Sequence, residues 1–255
     1  MADHGGGSSM HFEVLGPVVA FGTKGPVGLG PARQRTLLAA LLLEPGSSVT
    51  FDQLVDRVWG ERPPQRARVT LHTYLSRLRA ALGGAGGPAL VRRMRSYALE
   101  VDPEAVDLHR FRTLASGARR ADDDRAAALW EDALGLWRGE PFAGLEGDWL
   151  RAVRTELEAE RLASALDRHD VLLRRGDYGR LVPDLTAAAA AHPLDERLAG
   201  QLMLALYHSW RSPKAPRWSC PACAAWCRPG RCCRPGWPGG GYGAIRRLPW
   251  SMPTG

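Results

Sequence analysis

Between Gln65 and Leu82 the chain reads QRARVTLHTYLSRLRAAL, and Leu71, Leu75, Leu78 and Leu82 fall three and four residues apart. At about 100° per residue, that spacing draws one narrow apolar stripe along a helix. Arg66, Thr70, Thr73 and Arg77 fall opposite the stripe, while Arg68, His72 and Arg79 flank it. One face can therefore anchor in a core while the other carries guanidinium groups and hydroxyls. Such groups suit phosphate oxygens and base edges in a major groove. On its own an Arg-bearing face is more often a solvated surface, so the helix has to be read with its neighbours.

The segment beyond the helix sharpens the reading. After a Gly-rich loop, LVRRMRSYALEV (Leu90–Val101) reads as a β-hairpin in which Tyr97, Leu99 and Val101 alternate inward. Arg92, Arg93 and Arg95 crowd its turn. A basic hairpin directly after a basic helix is the layout of a winged helix, whose wing touches DNA backbone or minor groove. The plainer alternative is an exposed hairpin that uses Arg to discourage edge pairing.

The preceding segments fit the same plan. HFEVLGPVVAFG (His11–Gly22) reads as short strands. Pro31 opens a strong helix former, ARQRTLLAALLL, which Pro45 and Gly46 stop. Thr50 and Gln53 have capping-box spacing at the start of FDQLVDRVWG, where Leu54, Val55, Val58 and Trp59 give an apolar face and Gly60 an end.

The 255 residues leave room for two modest domains, and charge divides them. Residues 1–101 carry 12 basic and 7 acidic side chains, and residues 102–208 carry 14 basic and 20 acidic. From Ser209 onward there are eight basic side chains and no acid, so the tail accounts for the net charge of +7. The informative pattern is a basic first domain joined to an acidic second one. The longest strongly apolar run, Thr36–Leu43, is far too short for a bilayer, which needs about 20 residues. MADHGGGSSM lacks the order of a signal peptide and reads as a flexible start. A cytoplasmic, nucleoid-associated protein is the expectation, with no membrane partner.

From Asp107 to about Tyr207 the pattern is helical, broken near Gly139–Pro141, Gly176 and Pro193. Gly176 to Ser209 forms a unit of 34 residues, the tetratricopeptide period. His192 and Pro193 separate two helices, and Leu198, Leu202, Ala205 and Leu206 read as the inner face of the second. Pro183 suggests a kink in the first. Such pairs stack and offer protein-binding surfaces, although a plain helical bundle fits one repeat equally well.

The expected architecture is mainly α. Residues 1–10 are a flexible start, 11–102 a winged helix-turn-helix domain, 103–209 an all-α tetratricopeptide-like domain cut short of its last helices, and 210–255 an irregular tail.

The order of motifs resembles the Streptomyces antibiotic regulatory protein family, which joins an OmpR-type winged helix to a bacterial transcriptional activation domain. VWGERPP, TLHTYLSRLR, WRGEPFAGL and HPLDERL carry the resemblance, which covers roughly Phe12 to Ser209. It implies a pathway-specific activator of secondary-metabolite gene clusters. Its partners would be double-stranded DNA bearing promoter direct repeats, RNA polymerase holoenzyme and a second copy on the adjacent repeat. By position, Arg66–Leu82 resembles the recognition helix with Thr70, Thr73 and Arg77 facing DNA, and Arg92–Tyr97 resembles the wing. The candidate DNA-binding set is Arg66, Arg68, Thr70, Thr73, Arg77, Arg79, Arg92, Arg93 and Arg95. No receiver-like segment precedes the winged helix in this sequence, so aspartyl phosphorylation within it is not expected to control activity.

Two places depart from the family pattern. Ser96 stands where the family's wing usually has Gly; if the turn needs positive φ there, Ser costs up to about 1 kcal/mol. At Trp210, one period after Gly176, the repeat register stops. All five Cys and five of the nine Trp lie at or beyond that break. That composition, without acids, is what GC-rich codons tend to give when read out of frame. Cys220 and Cys223 have zinc-ligand spacing, but no second Cys-x-x-Cys occurs and Cys232 and Cys233 are adjacent. The tail is expected to be frame-shifted, with no metal or cofactor bound.

An enzyme is not expected. Arg33 stands where a dinucleotide fingerprint after Gly28 and Gly30 wants Gly, and no Gly-x-Ser-x-Gly or His-Glu-x-x-His occurs. The competing non-enzymatic reading is a helical-repeat interaction module whose winged helix does not bind DNA.

Overall fold

The computed structural model describes residues 10–211. An antiparallel sheet comes first: β1 (His11–Glu13), β2 (Val19–Gly22) and β3 (Gly25–Pro26), in that order. Phe12 pairs with Ala20 and both are buried, while His11 and Phe21 stack at 4.8 Å on the other side. Met10 belongs to this core. It packs so closely on Gly87 that a Cβ there would stand 2.6 Å from the Met10 sulfur. The flexible start expected over residues 1–10 therefore excludes Met10.

Helix α1 (Ala32–Leu42) begins after Pro31 and is buried almost continuously from Thr36 to Leu42. The two-residue strand β4 (Val49–Thr50) leads into α2 (Phe51–Trp59), and α3 (Ala67–Gly84) comes next. The hairpin is β5 (Ala89–Arg93) and β6 (Ser96–Glu100), with β6 central in the order β4-β6-β5. These elements are those of a winged helix-turn-helix.

A 3-10 turn at Pro103–Ala105 connects to the helical region: α4 (Asp107–Ala118), α5 (Asp123–Gly135), α6 (Asp148–Arg175), α7 (Tyr178–Ala191) and α8 (Glu196–Arg211). Gly176, in the left-handed region at φ 81°, ends α6, and Pro183 lies inside α7.

The two domains expected from the charge pattern pack together as one compact unit among the described residues. Phe12 and Leu37 share a core with Phe111, Trp130 and Phe142. The Asp107 carboxylate, at the start of α4, accepts hydrogen bonds from the backbone N–H of Val14 (2.9 Å) and Leu15 (3.1 Å) and from Arg138 (2.5 Å). Burial pushes this carboxyl above its ordinary value, against the downward pull of those hydrogen bonds and of the Arg138 charge. Arg138 also pairs with Glu13, and the backbone N–H groups of Arg138, Phe142 and Ala143 donate to the carbonyls of Leu15, Val14 and Gly16. The helical region thus grips the chain just after β1.

Arg154 of α6 holds the loop that makes this grip. Its guanidinium donates to the carbonyls of Pro141 (2.8 Å), Phe142 (3.0 Å) and Leu145. Within the loop, Phe142 is fully buried at a positive φ of 56°.

Helices α6, α7 and α8 enclose a second core of Leu166, Leu173, Leu181, Leu185, Leu198 and Ala205. The face expected for α8 needs one correction. Leu206 is half exposed, and Gln201 is buried in its stead. The Gln201 amide nitrogen donates to the Leu166 carbonyl (2.9 Å) and to Asp170 (2.5 Å), so its donors are paired at an inner position while its Oε1 is buried without a partner among the described residues. Met203, Leu206, Tyr207 and Trp210 form an exposed stripe on the outer side of α8. Trp210 and Arg211, expected in the irregular tail, complete that helix. The cysteine run lies outside the described residues. No helix among the described residues is long and apolar enough to cross a membrane.

Candidate nucleic-acid interface

The site is assembled from α2, α3 and the hairpin. The capping box forms as its spacing required: the Gln53 backbone N–H donates to the Thr50 hydroxyl (3.3 Å), and the Thr50 N–H donates to the Gln53 side-chain oxygen (2.9 Å). Gly60, at φ 60°, closes α2 and lets the chain turn toward α3. Ala67, Leu71, Leu75, Leu78 and Leu82 bury one side of α3, which turns the opposite side to solvent. A cleft of about 540 Å³ opens between the first turn of α2, the flank of α3 and the hairpin. Phe51, His72 and Tyr97 form its floor, with ring centroids of Phe51 and His72 4.8 Å apart and the Tyr97 hydroxyl 3.4 Å from His72 Nδ1. Arg68, Arg92 and Arg95 line its walls.

The nine candidate residues occupy distinct situations. Arg66 is the N-cap of α3, and it and Arg77 are exposed with no side-chain partner among the described residues. Arg92 and Arg95, on the hairpin, are exposed in the same way. Arg68 is also exposed but reaches back to Asp52 (2.7 Å) and lies 5.4 Å over the Phe51 ring. Arg93 pairs with Glu100 at 3.2 Å and donates to the Gly46 carbonyl at 3.4 Å. Arg79 points toward the hairpin, where its Nε donates to the Leu90 carbonyl (3.1 Å), so it acts as a strut between α3 and β5. Thr73 is exposed on the outer face and Thr70 is half-buried at its edge.

The positive φ of the hairpin turn falls on Met94 (47°), while Ser96 lies in β6 with its hydroxyl donating to the Arg93 carbonyl (2.8 Å). The possible penalty for Ser in place of Gly therefore does not arise at position 96. Three contributors were missed from the sequence. Val69 and Met94 are 65% and 94% exposed, and Asp52 places a carboxylate beside the basic cleft. The stripe opposite the leucines passes through Val69 as much as through Thr73, so that residue was available to be read.

Comparison with known proteins places the chain in a family. Residues 26–109 match the family described as "Transcriptional regulatory protein, C terminal", and residues 106–216 match "Bacterial transcriptional activator domain". Regulatory protein DnrI of Streptomyces peucetius is 34% identical over 219 residues, covering 81% of this chain and 80% of DnrI. The chain belongs to the Streptomyces antibiotic regulatory protein family.

Regulatory protein AfsR of Streptomyces griseus, another relative, is 41% identical over 211 residues, but the match spans only 21% of its length. Among solved structures, Mycobacterium tuberculosis EmbR in complex with a low-affinity phosphopeptide superposes with a TM-score of 0.76 at 29% identity. That match covers 80% of this chain and 56% of the EmbR chain. The described residues thus contain the winged helix and the helices of the activation domain as far as Arg211.

Proposed function

We propose that the chain is a sequence-specific DNA-binding activator of a secondary-metabolite gene cluster, that it binds promoter direct repeats, and that it helps recruit RNA polymerase. The observation that carries the reading is the set of exposed, unpaired guanidinium groups at Arg66, Arg77, Arg92 and Arg95, on α3 and on the wing beside it. A folded protein gains little from leaving four like charges unpaired on α3 and the neighbouring hairpin. A polyanion satisfies them all.

In this reading α3 enters the major groove with Thr73 toward the bases, Arg66 and Arg77 hold phosphates, and Arg92 and Arg95 follow the backbone beside the wing. Arg68 and Arg93 join them by exchanging their carboxylate partners for phosphate, Thr70 lies at the margin, and Arg79 positions the wing. Two copies on adjacent repeats would bring two activation domains together. The exposed stripe of α8 is a surface suited to protein contact.

Selection from a random duplex pool, then gel shift on the upstream regions of neighbouring biosynthetic genes, tests the reading. Enrichment of a directly repeated motif that also occurs at those promoters supports it. A chain that enriches no sequence is an interaction module whose winged helix does not bind DNA.

A further inference from the structure

Arg66, Val69, Thr73 and Arg77 succeed one another along the outer face of α3, opposite the leucine stripe. At 1.5 Å per residue the row is about 16 Å long, comparable to the roughly 12 Å width of a major groove. Its ends carry guanidinium groups. Its middle does not: Val69 stands 65% exposed, and the Thr73 hydroxyl donates to the Val69 carbonyl at 3.1 Å. With that hydrogen engaged, Thr73 has no donor for the N7 and O6 acceptors of guanine. What the pair presents to a ligand is chiefly methyl groups. Neither contributes to the core, and a β-branched residue at an exposed helical position is not favoured by helix propensity.

The one apolar group on the major-groove edge of a base pair is the C5-methyl of thymine. Resting on the reading that α3 enters the major groove, we infer that Val69 and Thr73 determine specificity by packing on thymine methyls. Their methyl groups are separated by about 6 Å along the helix, so the two thymines stand one or two base steps apart.

The test uses the full chain and a duplex selected from a random pool. Each thymine of the selected duplex is replaced in turn by deoxyuridine, which removes the methyl and keeps the base pair. Wild type is expected to bind about three- to fivefold more weakly at one or two of these replacements, the effect of losing one buried methyl. Val69→Ala should bind the thymine duplex more weakly by a similar factor and lose the thymine–uracil difference at one position. Thr73→Ser, which keeps the hydroxyl, should lose it at the other. Circular dichroism of both variants is expected to match wild type, because neither residue is in the core. A selected duplex bound equally well with thymine or uracil at every position overturns the inference and leaves the DNA reading intact. Failure to select any duplex overturns both.

Discussion

Leu75 and Arg77 lie two residues apart on α3 and face opposite environments. Leu75 is 1% exposed, and a carboxylate placed there would be buried without a partner. Leu75→Asp is therefore expected to abolish the cooperative melting transition of the chain, a loss of more than about 4 kcal/mol. A normal melting curve for that variant would mean that α3 faces the other way. His169 of α6 supplies a second residue-scale prediction. It is 5% exposed, and burial, together with the smaller effect of the Arg168 charge, holds its imidazole below the ordinary histidine range. Gln201, Asp170 and Asp184 oppose the shift without reversing it. A lowered folded-state value means that acid protonates the unfolded chain first. The stabilisation is complete above the ordinary histidine value and is lost as pH falls toward the folded one. His169→Leu should flatten the fall in melting temperature between about pH 7 and pH 5; an acid limb unchanged by the substitution would remove His169 as its cause.

At the scale of elements, patterns that repeat within a few residues were legible. The leucine stripe of α3 and the Thr50–Gln53 capping box are local, and backbone geometry enforces each one. The alternation expected over the second hairpin strand is not seen, since Ala98 is buried along with Tyr97 and Leu99. What was not legible depends on partners distant in sequence. Arg79 looked like a DNA contact because nothing in its own helix reveals the Leu90 carbonyl beside it. The turn strain could not be placed on Met94, since its register depends on β6 pairing with both β4 and β5. Helical period alone assigned Leu206 inward, because it cannot show that the Gln201 amide finds two acceptors on α6. The loop gripping β1 is another such case. Arg154 is 15% exposed at its side chain and satisfies three carbonyls at once. Arg154→Met keeps most of its volume and removes the donors, leaving carbonyls unsatisfied. Urea unfolding should show a loss of about 2–4 kcal/mol. A change below about 0.5 kcal/mol would show that water replaces the guanidinium.

Across the whole molecule, the winged helix and the helical region share one core and a set of hydrogen bonds centred on Asp107. The sequence marked their boundary by charge, which says nothing of how two apolar surfaces meet. At the far end, the row of Met203, Leu206 and Tyr207 along α8 is the kind of face that a further helix pair covers in a stacked repeat. It lies directly before the point at which acids vanish and cysteines begin. The encoding DNA, translated in the other two frames beyond Ser209, is expected to yield an amphipathic Ala/Leu/Arg/Glu-rich pair in one of them. Absence of such a pair in both frames, together with stoichiometric zinc in the purified protein, would make the cysteine run a site in its own right.

The central contact of the proposed function is that of α3 and the wing with DNA backbone. Salt dependence of binding measures it most directly, because each phosphate neutralised releases counterions. The eight basic residues from Arg211 onward would also attract a polyanion, so the comparison is made in the full chain, where their contribution is constant. Affinity for a labelled duplex is measured by fluorescence anisotropy over a range of salt for wild type and for the combined variant Arg77→Ala, Arg92→Ala, Arg95→Ala. The expected result is a slope of log affinity against log salt that becomes shallower by about three, roughly one unit for each guanidinium removed, with the fold unchanged by circular dichroism. The same slope and the same affinity in wild type and variant would contradict that contact, because DNA would then be held by the tail alone.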